Sequence, residues 1–172
     1  SAGYPHKNYA ILPEVAIEIN KRGLSNKIHI FLTLDESKKY TKKVLKTIAP
    51  YYDIITNLGQ IKTDDVPSAY KAANGLFIPS LVESFGLIYL EAMRYNCPII
   101  TSDRDFSKWI CGDLAMYFDP LDATSIVNTI EKFIDETPIL NYNKRALKKL
   151  SWFPNSWEDV AMEYLKIIKT LK

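Results

Sequence analysis

Pro79-Ser80-Leu81-Val82-Glu83-Ser84-Phe85-Gly86-Leu87-Ile88-Tyr89-Leu90-Glu91-Ala92-Met93 sets two carboxylates eight residues apart around a glycine that opens an apolar helix. The strand-like run Gly75-Leu76-Phe77-Ile78 stops at Pro79, and helical spacing resumes after Gly86. The turn between them aims backbone N–H groups and the positive end of a helix at any bound anion, a place that suits phosphate oxygens. Glu83 precedes the helix and Glu91 falls about one and a half turns inside it, so the two acids reach one ligand at different points along its length. Ionised carboxylates accept hydrogen bonds from hydroxyls, and the combination implies a nucleotide-sugar site. A plainer reading makes Glu91 a surface acid paired with Arg94 at i+3, and Glu83 a loop acid favoured by a nearby helix end. Against it, Glu91 is the only charge between Glu83 and Arg94. The segment is otherwise suited to burial, where an acid needs a partner.

Outward from this stretch, strand-like and helix-like segments alternate as in an α/β domain whose parallel sheet is covered on both faces. Helical spacing runs over 7–22, with Pro13 starting a fresh turn, and a strand over 28–34 follows. Asp35 is placed to cap a lysine-rich helix ending near Ile48, residues 53–56 form a short strand, and Thr63 or Asp64 can cap a helix to Ala73. After the strand 75–78 and the Gly86 helix come a strand over 98–101, a short helix over 106–110 and a strand over 116–118. Three helices over 122–135, 139–150 and 156–171 should close the domain.

The run Ala73-Asn74-Gly75-Leu76-Phe77-Ile78-Pro79-Ser80, then Glu83-Ser84-Phe85-Gly86-Leu87 through Glu91-Ala92-Met93, then Pro98-Ile99-Ile100, resembles the donor-binding half of retaining GT-B glycosyltransferases of the family-4 type. The signature is a glutamate, seven residues and a second glutamate. Tyr4-Pro5-His6-Lys7-Asn8, Cys111-Gly112-Asp113 and Tyr117-Phe118-Asp119-Pro120 extend the resemblance over nearly the whole chain. It implies a Rossmann-like parallel sheet with helices on both faces, the C-terminal half of a GT-B architecture. The single domain over 1–172 would then bind the donor, with the acceptor domain and an opening strand upstream of Ser1.

The resemblance also implies roles. Glu91 would hold the ribose hydroxyls, Lys7 and the amides near Gly86 and Leu87 the diphosphate, and Glu83 with the Ser84 and Phe85 amides the transferred sugar. Ile61, in the loop after Asn57-Leu58-Gly59, would meet the base or simply join the core. Lys7 and Glu83 are thus the catalytic pair. Transfer of a hexose to a glycan or lipid-linked acceptor would retain configuration and need neither metal nor cofactor beyond the nucleotide-sugar donor. The leaving phosphate would help deprotonate the acceptor, and its electrostatic stabilisation would be this domain's main contribution. Three positions depart from the family pattern. Ala2 stands where many members carry an arginine, removing one of two phosphate cations. Asn96 replaces a usual glycine at a helix end, a change that a residue tolerant of left-handed backbone accommodates. Trp109 replaces a frequent glutamate, where an aromatic could line the acceptor cleft. A non-catalytic nucleotide-sugar-binding module is the alternative, with an epimerase behind it.

Other classes lose their support. The chain has 172 residues and a net charge of +2, too little to recruit nucleic acid. Its six glycines never form a G-x-G-x-x-G or Walker loop. Asp103-Arg104-Asp105 follows a strand like a manganese-binding D-x-D, but Asp105 is also placed to cap the helix at Phe106, which is the preferred reading. Cys97 and Cys111 lack metal spacing and border apolar runs, so they read as buried free thiols in a reducing cytoplasm. His29 sits in a strand and His6 beside Lys7, neither with the partners of a hydrolase triad. Lys38, Lys39, Lys42, Lys43 and Lys46 crowd one helix, and 143–153 adds a second basic stretch. These form either a solvated face or a peripheral contact with anionic lipid at the inner side of a membrane.

Overall fold

The computed structural model describes residues 4–136 and 141–170. Within them, five parallel strands alternate with helices: β1 (Ile30–Leu32), β2 (Ile55–Asn57), β3 (Leu76–Ile78), β4 (Ile99–Ser102) and β5 (Ala115–Phe118). The longer helices are α1 (Leu12–Lys21), α2 (Lys39–Ile48), α3 (Val66–Ala72), α4 (Leu87–Arg94), α5 (Asp105–Cys111), α6 (Ala123–Asp135), α7 (Tyr142–Leu150) and α8 (Trp157–Thr170). β1 pairs with β2, Ile30 opposite Ile55. The second group runs β3-β4-β5, with Leu76 opposite Ile99 and Ile99 opposite Ala115.

Side chains alternate across a strand, and β4 uses both faces. Ile100 joins Leu12, Val15, Ile19, Ile30, Ile55, Phe118 and Ile126 in one core. Ile99 joins Tyr89, Met93, Ile110, Leu114 and Tyr142 in the other. All four β4 residues are buried, as expected of a parallel strand covered on two sides. The first core draws on both strand groups, so α1 and α6 pack against a surface to which each group contributes. Coverage is not complete. Phe31 on β1 is 61% exposed and lies against His29, whose Nε2 is 2.9 Å from Thr56 Oγ1.

Several starts and stops differ from the sequence expectation. Asn8 adopts left-handed backbone (φ 57°) and splits the first helical stretch into 3-10 turns at Pro5–Lys7 and Tyr9–Ile11 before α1 begins. The Asp35 carboxylate accepts from the Ser37 amide at 2.9 Å and the Ser37 hydroxyl at 2.6 Å, a turn that satisfies the side chain locally. α2 therefore starts at Lys39 without a side-chain cap. Thr63 and Asp64 lie inside a 3-10 turn rather than capping α3, whose Pro67 sits in the first turn, where its missing N–H costs nothing. Asp105 is the first helical residue of α5, not its cap; the Ser107 hydroxyl accepts from the Arg104 amide instead. The expected start of α7 at Ile139 lies outside the described residues. α8 forms but has no buried residue, so it does not close the core. Asn96 takes the left-handed conformation anticipated for it (φ 56°).

Candidate functional site

Ligands of open α/β sheets bind beyond the carboxyl ends of the strands, and three loops meet there. The first carries Lys7, in a 3-10 turn fixed at both sides. The His6 carbonyl accepts from the Leu81 amide at 2.8 Å, and the buried Asn8 side-chain amide donates to the Pro120 carbonyl at 2.7 Å. These bonds tie the first loop to those after β3 and β5. The Lys7 ammonium donates to both oxygens of Glu83, at 2.7 and 2.9 Å, with side chains 25% and 10% exposed. The buried Ser80 hydroxyl adds a third bond, to Glu83 Oε1 at 2.7 Å. The two residues assigned catalytic roles are therefore joined to each other. Lys7 is an ion-pair partner rather than a freely solvated loop lysine.

The loop then turns into α4 through Gly86, whose φ of 74° belongs to the left-handed region that glycine enters without strain. A Cβ there would lie 2.7 Å from the Tyr89 ring. Tyr89 is buried, its hydroxyl 2.8 Å from that of Thr101, which donates to the Ile78 carbonyl at 3.1 Å. This chain fastens the first turn of α4 to the ends of β3 and β4. No acidic side chain occupies that first turn, so its amides and the helix dipole face the solvent side with positive character. Ser84, Phe85 and Leu87 are exposed beside it, and Gly86 is buried.

Glu91 is exposed, contrary to the expectation of a buried acid. Its partner is the Tyr70 hydroxyl, which donates to Oε2 at 2.9 Å; no Glu91–Arg94 ion pair occurs among the described residues. Tyr70 stacks on Tyr95 with centroids 5.7 Å apart. Burial, and after it the Glu91 carboxylate, push the Tyr70 pKa upward, so the phenol stays a donor. Ile61 is half-buried in the loop after β2, apart from the Lys7–Glu83 cluster in the bonding pattern. Ser80 and Tyr70 were not anticipated as site residues. Ser80 carried a local signal, three residues before Glu83; Tyr70 reaches Glu91 from another helix, and only the tertiary fold shows it.

Ala2 lies outside the described residues. Asp103 is ion-paired with Lys108, and among the described residues no group of three or more His, Cys, Asp or Glu is arranged to hold a metal. The His6 ring stacks on Tyr4. Cys97 and Cys111 are buried free thiols, raised by burial to about 11 and about 12. No helix among the described residues is long and apolar enough to cross a membrane.

Parallel strands between helices, an acid-free helix end at their carboxyl side and two carboxylates, one before that helix and one on it, make a Rossmann-like domain of the GT-B glycosyltransferase kind. Residues 2–150 match the family model described as glycosyl transferases group 1, and the chain belongs to that family as a C-terminal domain. It is 30% identical over 152 residues to sucrose-phosphate synthase of Spinacia oleracea, covering 81% of this chain and 14% of that enzyme. The fold superposes on a sucrose-phosphate synthase from Thermosynechococcus elongatus with a TM-score of 0.75 at 20% identity, over 99% of this chain and 44% of that one. It also superposes on Anabaena HepE in complex with UDP and glucose, with a TM-score of 0.63 at 18% identity over 89% and 47% of the two chains. The chain thus spans well under two thirds of each of these proteins.

Proposed function

We propose that this domain binds a nucleoside-diphosphate sugar and presents it for metal-independent, retaining transfer of a hexose to a glycan or lipid-linked acceptor. The observation that carries the reading is the Lys7–Glu83–Ser80 cluster beside the acid-free start of α4. In this reading the first-turn amides take a phosphate, and the diphosphate draws Lys7 partly away from Glu83. Lys7 keeps a charge-assisted bond in the exchange, while Glu83 loses part of its ion pair, a cost that the contacts to the diphosphate must offset. Glu83, still held by Ser80, then turns an oxygen to the sugar hydroxyls, and Glu91, oriented by Tyr70, meets the ribose. Ile61 borders the base. The match to a neighbour holding UDP and glucose supports a donor of this class.

A donor site alone does not perform transfer, because the acceptor needs its own walls. We assign those to a further domain of the full protein, a view supported by the partial span of the relatives. This chain by itself should bind nucleotide without appreciable transfer. A non-catalytic binding module is the second reading, favoured by one observation: Lys7 is neutralised by Glu83. We further place the protein in the cytoplasm, where the exposed lysines of α2 could meet anionic lipid.

Calorimetry tests the proposal with UDP-, GDP- and ADP-sugars and the corresponding nucleotides, with and without EDTA. One nucleotide sugar should bind more tightly than its nucleotide and persist in EDTA. Failure of every nucleotide to bind would overturn the reading, and loss of binding in EDTA would move it to a metal-dependent class.

A further inference from the structure

Helix α2 carries Lys39, Lys42, Lys43 and Lys46 and no acid. At about 3.6 residues per turn the four lysines share one face, and the opposite face, with Val44, Leu45 and Ile48, packs on the first core. All four are exposed, and among the described residues none of their ammonium groups makes an ion pair or a hydrogen bond. The neighbouring acids are engaged elsewhere. Asp35 faces Lys38 at 3.8 Å, and Glu36 accepts from the Asn57 side chain at 3.0 Å. Like charges three and four residues apart weaken a helix, and the uncapped first turn adds the positive end of the dipole. The free protein holds this charge at a cost that an anionic partner relieves.

The positive end of α2 adjoins the loop that carries Lys7. The Tyr4 ring lies 5.9 Å from that of Tyr40, in the first turn of α2, and stacks on His6 with centroids 5.8 Å apart. The Tyr4 carbonyl accepts from the Lys7 amide at 2.9 Å, which fixes these rings to the donor-side loop. Tyr4 is 47% exposed and Tyr40 51%, so the rings leave one another partly uncovered. Exposed aromatic surface suits the C–H side of a sugar ring, and ammonium groups suit carboxylate or phosphate oxygens. Anionic lipid could meet the lysines alone, but an interfacial helix inserts through a free apolar face, and that of α2 is packed on the core.

We infer that the lysine face of α2 and the Tyr4–His6–Tyr40 rings form one docking surface for an acidic glycan, a saccharide bearing carboxylate or phosphate groups. Its position beside Lys7 makes this glycan the acceptor, a step that rests on the donor-site reading; the docking surface itself does not.

Calorimetry without nucleotide, in about 0.01 M salt, where charges act over about 30 Å, tests the surface apart from the donor site. Tetragalacturonate or phosphorylated maltotetraose should bind, the tighter one naming the anion, and neutral maltotetraose should not. Lys39→Gln, Lys42→Gln, Lys43→Gln and Lys46→Gln together should weaken that binding by about tenfold or more, as four exposed charge pairs are lost. The same variant should melt no lower than wild type, because the lysine repulsion goes with it. Lys144→Gln with Lys148→Gln, on α7, should change nothing. Tyr40→Ala should weaken the saccharide but spare tripolyphosphate, which has the charge without the sugar ring. The saccharide should still bind beside saturating nucleoside diphosphate; mutual displacement would put it in the phosphate site and overturn the inference. So would absence of binding by both acidic saccharides, equal binding of maltotetraose, or undiminished binding to the folded lysine variant. Lysine-dependent binding to phosphatidylglycerol vesicles with none to either saccharide would make the surface a membrane contact and overturn it as well. A chain that binds an acidic saccharide but no nucleotide would uphold the docking surface and refute the donor reading, and with it the acceptor role.

Discussion

An ammonium 2.7 Å from a carboxylate that is only 10% exposed cannot be removed without leaving the acid short of a partner. Lys7→Ala should therefore destabilise the fold by about 1.5–3 kcal/mol, the range for a hydrogen bond to a charged group. Because Glu83→Ala removes the same interaction, the double variant should lose clearly less than the sum, as urea denaturation of all four proteins would show. Additive losses would mean that the pair contributes nothing. The pairing also shapes binding. Glu83→Ala frees the Lys7 charge for phosphate, so nucleoside-diphosphate affinity should hold or rise while the extra affinity for the nucleotide sugar disappears. Retention of that extra affinity would remove Glu83 from sugar recognition. At the second acid, Glu91→Gln keeps size and loses charge, and Tyr70→Phe loses only the 2.9 Å bond that orients Glu91. Both should weaken ribonucleotides more than 2′,3′-dideoxynucleotides, Tyr70→Phe by about 0.5–1.5 kcal/mol. Equal weakening of both ligand types would assign Glu91 and Tyr70 to the fold.

The first turn of α4 depends on a backbone conformation and a close contact that only glycine satisfies. Gly86→Ala would combine left-handed strain with a Cβ 2.7 Å from Tyr89, and Tyr89 cannot withdraw without breaking its bond to Thr101. The substitution should cost about 2–4 kcal/mol of stability, read from the urea midpoint, and should blunt nucleotide affinity in whatever fraction remains folded. Stability close to wild type would show that the α4 entry rearranges freely. Gly86 also marks how far the sequence could be read. Its place between a strand and an apolar helical run was visible, as was the strand at β4, because each follows from local pattern, whereas the left-handed Asn96 was read from the glycine usual there in the family it resembles. Competing local bonds hid other features. Asp35 and Ser37 satisfied each other and delayed α2, and Asn8 broke the first helix. Long-range partners were hidden for a different reason. Tyr70 on Glu91 and Lys7 clasping Glu83 arise from chain crossings that no spacing encodes. The exposure of α8 is likewise tertiary, since its amphipathic pattern is that of a buried helix.

At the scale of the whole molecule, two thiols and several phenols are held neutral in or against the second of the two cores, and that couples stability to alkaline pH. Burial raises Cys97 from 9.0 to about 11 and Cys111 from 9.0 to about 12. Burial likewise raises Tyr89, Tyr117 and Tyr142 above their ordinary 10.0, as it does Tyr70. Each group keeps its proton in the native state at a pH where the unfolded chain has released it. The unfolded state then binds fewer protons, and stability falls as pH rises. The contribution is whole below about pH 9, declines first as the unfolded thiols ionise, and declines more steeply above about pH 10, when the unfolded tyrosines join them. Urea midpoints measured between about pH 7 and pH 11 should trace this two-stage loss. The Cys97→Ala, Cys111→Ala double variant starts from a lower plateau, because methyl-sized side chains fill the cores less well. Its decline should begin near pH 10 rather than near pH 9, since only the phenols remain to titrate. A double variant that declines over the same range as the wild type would show that the thiols are not held as the packing around Cys97 and Cys111 requires.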